Sequence, residues 1–126
     1  MSLHNVIILQ KERSIAQELA GQISKHGFQP LVTASASEVK TALAAQKVEA
    51  AILALDIVDP AVVAWITNTA SDVTVICTHH APDDDAWVTA LLAGATDLCH
   101  PSESQAILKS LHSRRGARHT QHEQEQ

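Results

Sequence analysis

The sequence predicts an α/β fold built on a doubly wound, five-stranded parallel sheet, on three observations. Five short apolar runs, each too brief for a helix, are spaced along the chain. A segment with apolar residues at helical spacing follows every one of them. The runs are continuously apolar instead of alternating, the pattern of strands covered on both faces. Five strand–helix units in about 110 residues describe a single sheet with helices on both sides, and right-handed crossovers leave few ways to wind it.

The elements follow in order. Residues 5–9 (Asn-Val-Ile-Ile-Leu) form the first strand, and Ile15, Leu19 and Ile23 place a helix after it. Gly27 suits a left-handed C-terminal cap, and Pro30 prevents the helix from continuing. Residues 31–33 give a second strand. Ser35 and Glu38 have capping-box spacing ahead of a helix with Val39, Leu43 and Ala44. Residues 50–55 are the third strand, ending abruptly at Asp56. Pro60 suits the first turn of a helix reaching about Ala70, with Val63 and Ile66 inward. Residues 73–77 are a fourth strand. Asp83, Asp84 and Asp85 favour the start of a helix over 86–93 that stops at Gly94. Residues 96–99 are the fifth strand, and Ser102 with Gln105 repeats the capping-box spacing before a last helix with Ile107, Leu108 and Leu111. The domain is expected to end at residue 113. Residues 114–126, rich in Arg, His, Gln and Glu, are expected to be a disordered tail or a linker cut short.

Composition narrows the function. Of 126 residues, 45% are apolar and 18% charged, enough for a packed core and against whole-chain disorder. No apolar run approaches the length of a membrane span, and no basic patch followed by a long apolar stretch marks a secretory signal. The expected location is the cytoplasm. Nine basic against fourteen acidic side chains give a net charge of -5, which argues against nucleic acid, and 2% aromatics with no Tyr leave little for base stacking. Cys77 and Cys99 make no disulfide framework and read as reduced core thiols. The chain lacks a nucleophile elbow and, with four glycines, any phosphate-cradling loop, so no enzyme is expected.

In an open parallel sheet the chemistry lies at the carboxyl ends of the strands. That rule selects Gln10, Lys11 and Glu12 after the first strand, Asp56 after the third, Thr78, His79 and His80 after the fourth, and His100 with Pro101 after the fifth. His79, His80 and His100 lie near Cys77 and Cys99, but without paired Cys-x-x-Cys or His-x-x-x-His spacing, and no metal site is assigned.

These positions resemble the receiver domains of bacterial two-component response regulators. The segment Ile52-Leu53-Ala54-Leu55-Asp56-Ile57-Val58-Asp59-Pro60 is similar to the family's strand, phosphoacceptor aspartate and following proline. Val75-Ile76-Cys77-Thr78-His79 resembles the segment ending in the switch Thr or Ser, and Gly94-Ala95-Thr96-Asp97 the turn into the fifth strand. The resemblance covers about residues 4 to 113. It implies a flavodoxin-like (βα)5 fold with strand order 2-1-3-4-5 and Asp56 as phosphoacceptor. It also implies a histidine kinase, a phosphotransfer protein or an output domain as partner, and a dimer or output contact through helix 4, strand 5 and helix 5. There Trp87, Leu91 and Leu111 would be the anchors.

The departures from that family carry the functional expectation. The family sets two carboxylates after the first strand to hold Mg²⁺; Gln10 and Lys11 stand there instead. The family's fifth strand ends in Lys-Pro; here His100-Pro101 supplies no lysine, and the aromatic switch position is Leu98. Aspartyl phosphorylation gathers negative charge that Mg²⁺ neutralises, so loss of the acidic pair weakens the cation and the reaction. The chain is thus expected to be an atypical receiver, with no cofactor, acting by phosphorylation-independent protein–protein interaction. The alternative is a working phosphoacceptor at Asp56. Lys11 either pairs with Asp56 and fills the pocket or points into water. Thr78 either bonds what lies over Asp56 or caps local backbone. His100 reads as a titratable cation in the lysine's place. Trp65 and Trp87 are expected at the boundary of core and surface.

Overall fold

The computed structural model describes residues 4–112; the tail expected over 114–126 lies outside them. Five strands, β1 (His4–Leu9), β2 (Phe28–Thr33), β3 (Ala50–Ala54), β4 (Thr74–Thr78) and β5 (Asp97–Cys99), form one parallel sheet in the order β2-β1-β3-β4-β5. Helices α1 (Arg13–Lys25), α2 (Ala36–Ala45), α3 (Pro60–Thr69) and α4 (Asp84–Leu92) connect them, and a fifth, α5, begins at residue 104 after β5.

Alternation along the strands divides the core in two. Val6, Ile8, Ile52 and Ile76 face one side, where Ala16, Leu19 and Ile23 of α1 and Ile107, Leu108 and Leu111 of α5 cover them. Ile7, Leu9, Leu53, Val75 and Cys77 face the other, under Val39, Val63, Ile66 and Ala90 of α2, α3 and α4. Both faces are dry, which is why the strands read as unbroken apolar runs.

The local devices differ from the expected ones in informative ways. The Ser35 hydroxyl accepts the Glu38 amide at 3.2 Å, as the spacing predicts, but Glu38 reaches back to the Ala34 N–H. The second capping box does not form, because the Ser102 hydroxyl bonds the His100 ring (2.7 Å) and the Glu103 carboxylate takes the His100 amide (2.7 Å). On α1 the buried face is Ala16, Leu19 and Ile23, with Ile15 at its margin. Strand β2 starts at Phe28, so Pro30 lies within it, opposite Val6, on an edge strand where a missing N–H is tolerated. Strand β4 sits one residue later than expected, which brings Thr78 into the sheet beside Ala54. Asp83 caps α4 through the Ala86 amide, and the helix ends at Leu92 with Ala93 as C-cap, followed by Gly94, whose φ of +94° favours glycine.

Candidate functional site at the carboxyl edge of the sheet

Strands β1, β3, β4 and β5 end together, and the residues after them meet around Asp56. Asp56 stands in the tight turn after β3, where the Ile57 and Val58 amides both donate to the Ala54 carbonyl (3.1 and 2.9 Å). The turn is tied to β4 by the Leu55 amide on the Thr78 carbonyl at 2.7 Å. The His80 backbone N–H donates to Asp56 Oδ2 at 3.2 Å, and the His80 ring places Nδ1 3.0 Å from the same oxygen. On its other edge His80 Nε2 lies 3.8 Å from Glu12 Oε1. Burial pushes the Asp56 carboxyl up, but the side-chain and backbone hydrogen bonds from His80, its own backbone N–H and the charge of His79 outweigh it. The net result is a carboxyl held below its ordinary value.

Of the two readings left open for Lys11, the structure has the solvent-facing one. Among the described residues the ion pairs of Asp56 run to His80, and Lys11 is exposed. A backbone amide and a short imidazole on the β4–α4 loop already reach Asp56 Oδ2, so the long lysine stem gains more by staying solvated.

Gln10 turns the other way. Its side chain is buried, with Nε2 donating to Thr78 Oγ1 at 3.0 Å while that hydroxyl lies 3.2 Å from Oε1. Each is a buried partner for the other, and among the described residues no buried side-chain N or O atom lacks a partner. Thr78 therefore bonds Gln10, neither a group over Asp56 nor local backbone.

His100 packs edge-on against the His80 ring, centroids 5.7 Å apart. Its Nδ1 accepts the Ser102 amide at 3.1 Å and lies 2.7 Å from the Ser102 hydroxyl. Among the described residues no ion pair joins His100, the residue in the lysine's place, to Asp56. His79 likewise accepts the Ala81 amide on Nδ1 (2.9 Å). An open cleft of about 330 Å³ adjoins the site, between Leu55, Pro60 and His79 on one side and Asp83, Ala86 and Thr89 on the other.

These residues do not fit the magnesium ion that such a site implies. A hard divalent cation wants converging oxygens, whereas the Gln10 amide is spent on Thr78, and Asp56 and Glu12 face opposite edges of one imidazole. Among the described residues, no group of three or more His, Cys, Asp or Glu is arranged to hold a metal. Cys77 and Cys99 are core thiols, each pushed up to about 12: by burial for Cys77, and by burial with the charges of Asp97 and Glu103 for Cys99.

The surface candidates separate. Trp87 is 37% exposed and Leu91 55%, and Val88 (54%) and Leu92 (83%), which the sequence did not single out, extend the same apolar strip along α4. Leu111 is 3% exposed and packs in the core from the inward face of α5, so it is no surface anchor; its spacing four residues after Ile107 places both on the inward stripe. Trp65 is 41% exposed beneath the Lys40 ammonium, 5.0 Å from the ring centroid.

Comparison with known proteins agrees with this geometry at the level of architecture. A CheY-like receiver domain from Methanospirillum hungatei superimposes with a TM-score of 0.80 at 15% identity, over 90% of this chain and 94% of that one. The chain has the receiver fold. A response regulator from Thermotoga maritima shares this receiver fold (TM-score 0.79, 18% identity, 89% and 100% covered), and so does the signal receiver domain of an HD domain-containing protein from Pseudomonas fluorescens (0.79, 20%, 89% and 94%). No protein-family model and no curated protein matches the sequence. Within the receiver fold, Asp56, Thr78 and the β4–α4 loop occupy the carboxyl edge of the sheet, where open α/β sheets bind their ligands.

Proposed function

We propose that this chain is an atypical receiver domain of two-component signalling that works by binding another protein, without phosphorylation, metal or catalysis of its own. The observation that carries this reading is the engagement of Asp56 by His80, together with the burial of Gln10 on Thr78. The carboxylate already has donors on Oδ2, one from the His80 backbone and one from its ring, and the protein's own groups brace the pocket. Phosphoryl transfer to a carboxylate relies on charge neutralisation and positioning, and Gln10 and Lys11 supply no acidic cradle for a cation.

The contact surface is the outer face of α4. Trp87, Val88, Leu91 and Leu92 at positions i, i+1, i+4 and i+5 make an apolar strip on a helix whose first turn is acidic. A second copy of this chain, a kinase or phosphotransfer protein, or an output domain would dock there. The loss of Leu111 as an anchor confines the surface to α4.

A second reading keeps Asp56 as a phosphoacceptor, favoured by its lowered carboxyl and partial exposure. Incubation with acetyl phosphate and Mg²⁺ followed by intact-mass measurement decides between them. The first reading expects no adduct; an adduct lost in Asp56→Asn supports the second. Replacing Leu91 and Leu92 with Asp should abolish association measured by sedimentation with the fold, read by circular dichroism, intact.

A further inference from the structure

The His80 imidazole stands where the charges of the pocket meet. A five-membered ring presents its two nitrogens on different edges, and here each edge faces a carboxylate: Nδ1 is 3.0 Å from Asp56 Oδ2, and Nε2 is 3.8 Å from Glu12 Oε1. The other titratable groups around it are His79, next in the chain, and His100, whose ring touches it from the β5–α5 connection. Lys11 shares the β1–α1 loop with Glu12 but is exposed, and no ion pair joins it to either carboxylate.

We propose that His80 is the built-in, titratable counter-ion of this pocket, fastening the β4–α4 loop to the turns after β1 and β3, so that the order of the loop leading into α4 depends on pH. The proposal rests on the metal-free reading above and names how the site is regulated.

The sign follows from proton placement. With both nitrogens protonated, the ring is a cation between two anions, and the loop is held at both ends. As pH rises and Nε2 loses its proton, the Nδ1–H bond to Asp56 survives, but a lone pair now faces the Glu12 carboxylate, and that half of the bridge is lost. In strong acid the carboxylates take up protons and the attraction disappears again. Among the described residues no ion pair joins His100 to Asp56 or Glu12. Protection of the loop therefore peaks between the carboxylate and imidazole titrations.

The test is amide hydrogen exchange by NMR on the full chain in EDTA, corrected for the intrinsic rise of exchange with pH. It is read at His80, whose amide donates to Asp56, with Ala81 as a control because its amide donates to the His79 ring and follows that ring instead. Protection should fall about two- to five-fold as pH rises through the imidazole range, the size of a half-exposed ion pair. His80→Gln retains a side-chain donor for Asp56 but has no proton to lose and should give a flat profile, whereas Glu12→Gln removes only the second anchor and should give a smaller fall. A flat profile in the unmodified chain, or the same fall in His80→Gln, overturns the proposal. Repeating the measurement with excess Mg²⁺ tests the metal-free reading separately: a change at these amides counts against that reading, while the profile in EDTA still decides the bridge.

Discussion

The Gln10–Thr78 pair makes a sharp test of how this pocket is braced. Both side chains are buried and each supplies the other's partner, at 3.0 and 3.2 Å. Gln10→Met, close in shape, leaves the Thr78 hydroxyl dry and unpaired. Thr78→Val does the same to the Gln10 amide. Each single change should cost about 1–3 kcal/mol, the penalty of an unsatisfied buried polar group. The double variant leaves no polar group stranded and should cost less than the two singles added together. The coupling should then be about 1–3 kcal/mol, well above the few tenths expected of independent sites. Urea unfolding at neutral pH measures it: with a slope of about 1–3 kcal/mol per M, each single change shifts the midpoint by roughly 1 M at constant slope. Additive single and double variants would refute the mutual lock and leave Gln10 free to serve another ligand.

Three further outcomes follow from the same structure. Gly94→Ala should cost about 2–3 kcal/mol, because φ is +94° and a new Cβ would meet Thr67 Oγ1 at 2.7 Å, disturbing the hydrogen bond of that hydroxyl to the Ala93 carbonyl. Gly27→Ala, at φ +87° with nothing within 4 Å, should cost only about 1–2 kcal/mol, and equal losses in chemical denaturation would remove the contact from the explanation. Leu111→Ala should destabilise by about 2–5 kcal/mol and Leu91→Ala by no more than about 0.5 kcal/mol, the reverse of what a surface role for Leu111 requires. Because the folded carboxyl of Asp56 lies below its unfolded value, its stabilising contribution is present above the unfolded pKa and lost as pH falls through the folded one. In His80→Ala, burial meets less opposition, so the Asp56 carboxyl should titrate higher by carbon NMR and the acid limb of stability should weaken; an unmoved midpoint removes His80 as the cause.

What was legible in the sequence was whatever periodicity writes. Residues 5–9, 50–55 and 73–77 announce strands because both faces are dry, and Val63 with Ile66 announces the inward face of α3. Asp56 and Thr78 were legible as strand-end residues. Partners at that edge were not, because loop residues have no period: Lys11 and His80 compete for Asp56, and only the path of the β4–α4 loop decides for His80. The Ser102 cap failed for a similar reason, a neighbouring ring taking the hydroxyl that helix spacing assigned to Gln105. The burial of Leu111 did carry a signal, its four-residue spacing from Ile107.

Both rims of the sheet are poor templates for another chain. One ends in β5, three residues long, and the other is β2, with a proline in its middle. An incoming segment finds no long row of open amides and carbonyls to zip against, so recognition by strand addition is discouraged at either side. On the proposed reading association is then left to helices, and the exposed leucines of α4 offer it grease rather than backbone.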